Sequence, residues 1–80
     1  MSKTLYNPSL EDISTDVDKY GENPQYFTLK AGDIAEFEDF VADLLKEKLV
    51  ERMLWENPPN NKNYEKRRIE LREIIEVKNG

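Results

Sequence analysis

The sequence predicts an α+β fold, in which a small antiparallel β-sheet is followed by two α-helices. Between residues 4 and 37, short apolar and polar alternations are interrupted by Pro, Gly and Asn, which is typical of strands and turns. At residue 38 the period changes, and apolar residues then recur at steps of three and four, as on an amphipathic helix. Because 80 residues suit one small domain, we expect residues 1–80 to form a single domain.

Two strands are expected early in this β-rich segment, residues 4–37. Leu5-Tyr6 is a short apolar run that ends at Asn7-Pro8. Residues 13–18 alternate in the way that places one face of a strand toward the core and the other toward solvent. The Gly, Asn and Pro content of residues 20–24 predicts a loop after this second strand.

A hairpin is the best-marked element of the first half. Tyr26–Leu29 is rich in strand-forming residues, and Ile34–Phe37 follows it after a turn at Lys30–Asp33. Gly32 lies where a turn commonly requires a positive φ. We therefore expect the two segments to pair with each other as a hairpin around Gly32.

Two helices should follow the sheet. The first covers residues 38–56, and its apolar stripe consists of Phe37, Val41, Leu44, Leu45, Leu49 and Met53. The Pro/Asn loop, residues 57–62, ends it because proline cannot continue a helix. A second helix is expected over about residues 63–77, with Asn61 or Asn63 as its N-cap.

The first helix has more apolar surface than one stripe requires. Phe40, Val50 and Leu54 fall on another sector of the helix, close to Trp55. One possibility is that the second helix covers this sector. The other is an exposed patch, which usually marks an interface, where aromatic residues are enriched.

The composition argues against an enzyme. His and Cys are absent, so the commonest general acid or base and a common nucleophile are missing, together with disulfides and the usual zinc sites. Residues 16–27 begin like a calcium loop, but Phe27 occupies the position that requires a carboxylate. No Gly-rich phosphate loop and no membrane-spanning apolar run are present. We expect no catalysis, no cofactor, no metal and no membrane partner.

The charge is unevenly distributed along the chain. Residues 1–44 carry ten acids and three Lys, a net −7, whereas residues 45–80 carry nine bases and seven Glu, a net +2. The overall −5 makes binding to nucleic acid unfavourable. The basic cluster at Arg67 and Arg68 has three interpretations: a solvent-exposed helix face with many ion pairs, a contact with an acidic protein surface, or a phosphate-binding helix.

The order of motifs resembles a known group of proteins. Tyr26–Asp33 reads Tyr-Phe-Thr-Leu-Lys-Ala-Gly-Asp, and Phe37–Leu45 reads Phe-Glu-Asp-Phe-Val-Ala-Asp-Leu-Leu. Over roughly residues 5–54 this layout resembles small uncharacterised proteins encoded among the structural genes of tailed bacteriophages. The resemblance implies a virion component and assigns no functional residue.

We therefore expect a non-catalytic structural or interaction protein, such as a minor component of a capsid, neck or tail, in the host cytoplasm or the virion. It would bind a larger assembly through the first helix and Trp55, or form a homo-oligomer. The expected interface residues are Phe40, Val50, Leu54, Trp55, Arg67 and Arg68. In a homo-oligomer, the acidic strands of one copy could meet the basic helix of the next.

The alternative is a small acidic inhibitor or regulator that occupies a basic groove of a host protein. It would require a shared exposed face for the acids Asp12, Asp16, Asp18, Glu36, Asp39 and Asp43. The sequence leaves open the identity of the partner and the number of copies.

Overall fold

The structure is a computed structural model that describes residues 1–17, 25–60 and 63–78, and it has the predicted α+β fold. Its strands are β1 (Ser2–Tyr6), β2 (Ile13–Val17), β3 (Gln25–Leu29), β4 (Ile34–Glu38) and β5 (Glu76–Val77). Its helices are α1 (Asp39–Glu56) and α2 (Tyr64–Ile75). The loop predicted for residues 20–24 and the end of the Pro/Asn loop lie outside the described residues.

The strands form two small antiparallel sheets. The first has three strands in the order β4-β1-β5, and the second consists of β2 and β3. In the first sheet Tyr6 lies opposite Ile34 and Thr4 lies opposite Val77. Strand β5 takes the place of the last turn predicted for the second helix, because Glu76 has extended dihedral angles and the chain pairs with β1.

The predicted hairpin around Gly32 is wrong, although the turn is present. Gly32 has φ of 80°, and the N–H of Asp33 donates to the carbonyl of Lys30 at 3.0 Å. This φ at the third position is that of a type II turn, which splays the flanking strands, whereas tight hairpins use primed turns. The turn therefore leads from one sheet into the other, and β3 pairs with β2 while β4 pairs with β1.

The side chain of Asn7 joins the two sheets. It is fully buried, and its Nδ2 donates to the carbonyls of Leu29 and Glu11, each at 2.9 Å. Its Oδ1 accepts from the N–H of Ser9 at 2.9 Å, which forms an Asx turn across Pro8. Its backbone contacts the turn as well, since the N–H of Gly32 donates to the Asn7 carbonyl at 2.8 Å.

The apolar core lies between the sheets and the helices. Its buried members are Leu5, Leu29, Val41, Ala42, Leu45, Leu49, Val50, Leu54, Leu71 and Ile75. Phe27 of β3 and Phe37 of β4 meet edge to face with ring centroids 6.4 Å apart, which adds a direct contact between the sheets. The core therefore draws on both sheets and both helices.

The helices begin and end within two residues of the predicted bounds. Asn63 is the N-cap of α2, and its Oδ1 accepts from the N–H of Lys66 at 3.3 Å. At the other end of the loop, α1 stops before Asn57, and Pro58 and Pro59 follow. The predicted N-cap residue Asn63 is thus confirmed, and Asn61 lies outside the described residues.

Candidate protein-interaction surface

Trp55 is the most exposed aromatic side chain on the helices. It lies near the C-terminal end of α1 and is 74% exposed. The guanidinium carbon of Arg52, one turn earlier, lies 5.1 Å from the ring centroid. This cation–π contact covers part of one face of the indole and restricts its orientation.

Arg52 is itself held by two carboxylates. Its Nη2 lies 2.6 Å from Oε2 of Glu11, and its Nε lies 3.1 Å from Oε1 of Glu56. The pair with Glu11 attaches the loop between β1 and β2 to α1. The neighbouring residue in that loop, Leu10, is 86% exposed. We call Leu10, Glu11, Arg52 and Trp55 the Trp55 surface.

The sequence did not single out three of these four residues. Leu10 is one apolar residue between Ser9 and Glu11, which has no periodic neighbours to mark it. The Arg52–Trp55 contact has a weak signal, since the two residues are three apart on a helix and share a side. The contact between Glu11 and Arg52 has none, because it depends on how the loop folds back.

Most of the additional apolar sector of α1 is buried in the core. Val50 and Leu54 are buried in the core, and Phe40 is partly buried against it. The expected exposed patch is thus reduced, because Val50 and Leu54 belong to the same buried cluster as Leu71 and Ile75 of α2. Leu44, placed in the main stripe from the sequence, is exposed instead. Of the four α1 residues proposed for the interface, Trp55 alone is largely accessible.

Arg68 and the nearby Arg72 form a ladder of ion pairs with α1. Nε and Nη2 of Arg72 lie 3.0 and 3.2 Å from the carboxylate oxygens of Glu47, and Nε of Arg68 lies 3.1 Å from Glu51. These hydrogen bonds raise the pKa of both guanidinium groups. The pairs Glu47–Arg72 and Glu51–Arg68, which we call the helix ladder, align α1 and α2 antiparallel.

Arg67 also has a partner within the chain, since its Nη1 lies 3.1 Å from Oε2 of Glu70. Both interface arginines expected from the sequence therefore already contact carboxylates. Any partner or further copy that bound them would have to compete with these contacts. Their role in an interface stays a prediction.

A second charge cluster joins β1, α1 and β5. Nζ of Lys3 donates to Oδ1 of Asp43 at 2.8 Å, and Lys46 and Glu76 complete the cluster at 3.7–3.9 Å. The hydrogen bond raises the pKa of Lys3 and lowers the pKa of Asp43. The negative charge of Asp43, in the acidic half of the sequence, is thus balanced by Lys3 and Lys46 of the same chain.

The described part of the chain contains no group of three or more acidic, His or Cys side chains arranged to hold a metal ion. Of the two helices described, neither is long and apolar enough to cross a bilayer. No family model matches the sequence, and neither a curated protein nor a solved structure matches it either.

Proposed function

We propose that this protein is a non-catalytic interaction protein that docks onto a larger protein through the Trp55 surface. The observation that supports this proposal best is Trp55 itself, a large apolar side chain that is 74% exposed yet oriented by Arg52. Tryptophan and arginine are, together with tyrosine, the residue types most enriched among residues that dominate binding energy at interfaces.

The energy available from Trp55 is substantial. A tryptophan can bury 150–250 Å², so the exposed share amounts to about 110–190 Å². At about 25 cal/mol per Å², covering that area contributes about 3–5 kcal/mol before the costs of association are subtracted. The orientation imposed by Arg52 reduces the side-chain entropy that docking has to overcome.

The resemblance to proteins of the bacteriophage structural region suggests that the larger protein is a virion subunit of the capsid, neck or tail. In that case the chain should copurify with assembled particles, measured by quantitative mass spectrometry. Its absence from purified particles would exclude the virion assignment and leave docking through Trp55 to be tested separately.

The docking proposal is tested with two matched variants. Trp55→Ala removes the exposed indole of α1, and Tyr26→Ala removes a side chain of nearly equal exposure, 75%, from β3. Immobilised wild-type protein and both variants are used to capture partners, and each affinity is then measured with the purified partner. We expect Trp55→Ala to weaken binding at least about 30-fold, with Tyr26→Ala close to wild type. Equal affinities for all three proteins would refute the proposal.

The acidic-inhibitor alternative has less support. Oδ1 of Asp12 accepts from the N–H of Ala31 at 2.9 Å, and Asp43 pairs with Lys3. Two of its six acids are thus engaged in internal contacts. The remaining four acids would have to match the basic groove of the host protein. One of these four, Asp18, lies outside the described residues.

A further inference from the structure

Strand β4 lies at the edge of the three-stranded sheet. On one side it pairs with β1, and no strand of the described chain pairs with its other side. The N–H of Asp39 donates to the carbonyl of Met1, and the N–H of Asn7 donates to the carbonyl of Asp33. Because bonded and non-bonded residue pairs alternate in an antiparallel ladder, the odd-numbered residues of this segment direct their backbone groups toward β1.

The even-numbered residues Ile34, Glu36 and Glu38 therefore direct their backbone groups toward the free edge. Ile34 and Glu36 each offer an N–H and a carbonyl there. Glu38 offers its N–H, because the carbonyl of an N-cap residue accepts the first bond of its helix. We call these three residues the β4 edge. It presents the groups that an added strand would need.

The side chains of the same three residues lie on the exposed face of the sheet. Ile34 is 61% exposed. Neither Glu36 nor Glu38 has an ion-pair partner among the described residues, in contrast to Asp43, Glu47 and Glu51. An added strand would thus place its own side chains beside two unpaired carboxylates, about 5 Å away between Cβ atoms.

The opposite face of β4 is apolar. Ala35 and Phe37 are partly buried and pack against the core. The residues of an added strand that point to this side would extend the apolar layer at Phe37. The β4 edge therefore fits a strand with basic residues on one face and apolar residues on the other.

We propose that the β4 edge accepts an extended segment of a partner protein as an added strand. The segment carries Lys or Arg opposite Glu36 and Glu38, with an apolar residue between them. Backbone hydrogen bonds give such a contact its affinity, and the alternating side chains give it specificity. The proposal does not depend on the Trp55 surface, because it concerns a different part of the molecule.

A second copy of this chain is a poor occupant of the same edge. Two β4 strands paired antiparallel about Glu36 would place the two Glu36 side chains directly opposite each other. Like charges in that position are destabilising, and charged edge strands commonly prevent self-association for this reason. The rival explanation is that the glutamates serve this protective purpose alone.

The test uses a blocked eight-residue peptide in which Lys and Val alternate, titrated into the isotope-labelled full chain and followed by amide NMR. We expect saturable shifts centred on residues 34–38, slower amide exchange of Ile34, Glu36 and Glu38, and weaker binding as salt is raised. No saturable shift at millimolar peptide would overturn the proposal and leave the protective role. Shifts centred on Trp55 would overturn it as well.

Two variants and a control separate strand addition from general charge attraction. Glu36→Lys should weaken binding of the Lys peptide about three- to tenfold, whereas Glu73→Lys, the same charge change at an exposed position of α2, should leave it nearly unchanged. Glu36→Pro removes an N–H that β1 does not use, so the sheet can persist while binding is lost. Equal weakening by Glu36→Lys and Glu73→Lys would refute the specific contact, even if the proline variant fails to fold.

Discussion

Replacing Asn7 with Ala should cost a large part of the stability of this small protein. The substitution removes the donor to the buried carbonyl of Leu29 and the acceptor of the buried N–H of Ser9. The carbonyl of Glu11 is less affected, because the hydroxyl of Ser9 lies 2.8 Å from it.

The magnitude follows from the two buried groups that lose the Asn7 side chain as a partner. Each buried unsatisfied group costs about 1–3 kcal/mol, so we expect a loss of about 2–6 kcal/mol. A domain of this size has a total free energy of unfolding of about 4–12 kcal/mol. At corresponding ends of the two ranges, the loss would therefore remove about half of the total free energy of unfolding.

The assay is urea unfolding followed by far-UV circular dichroism. Circular dichroism is preferred to fluorescence, because Trp55 is already 74% exposed in the folded state. The control is Asn60→Ala, since this Asn is exposed and its replacement should change stability by less than about 0.5 kcal/mol. If Asn7→Ala unfolds within 1 kcal/mol of wild type, Asn7 does not hold the two sheets together.

Three further predictions concern the turn and the ion pairs. Gly32→Ala should destabilise the protein by about 1–2 kcal/mol in urea unfolding, because φ of 80° is strained for Ala. The added Cβ itself would meet no atom within 4 Å. A neutral result would contradict the turn geometry. Asp43→Asn should lower stability at pH 7. The deficit should shrink once the pH falls below 3.8, the ordinary pKa of Asp, and vanish below the lower pKa that the folded state gives Asp43, because the stability is lost on protonation. A deficit independent of pH, in unfolding measured from pH 7 to 2, would exclude this cause. A double-mutant cycle of Glu47→Ala and Arg72→Ala should give a coupling free energy of about 0.2–1 kcal/mol that decreases with salt, because the pair is exposed. A coupling free energy above about 2 kcal/mol, or one insensitive to salt, would show that solvent screens the pair less than its exposure implies.

The helices were predictable from the sequence, whereas the strand partners were not. The three- and four-residue period and Pro58-Pro59 set the limits of α1 to within one residue. An alternating period identifies a strand but carries no information on its partner. The incorrect hairpin arose because Tyr26–Leu29 and Ile34–Phe37 are adjacent in the chain, and the pairing was decided instead by the turn at Gly32 and by Asn7.

The residues that form the candidate surface were predictable to a smaller extent. Trp55 was identified because a large aromatic residue lay at the margin of the apolar stripe. Val50 and Leu54 had two possible environments, and their burial in the core depends on how the whole chain folds. Strand β5 has two residues, too few to show any period.

The central position of β1 has a consequence for how the chain folds. Its contacts with β5 join Thr4 to Val77, residues 73 positions apart, whereas β2 with β3 and α1 with α2 are linked by short connections. Contacts between distant positions form more slowly, because the intervening chain has to be closed into a loop first. We therefore expect the β2–β3 pair and the helix pair to form early and the three-stranded sheet to close last. During synthesis, β1 could pair with β4 once residue 38 had emerged, whereas its other side would stay unpaired until β5 had left the ribosome.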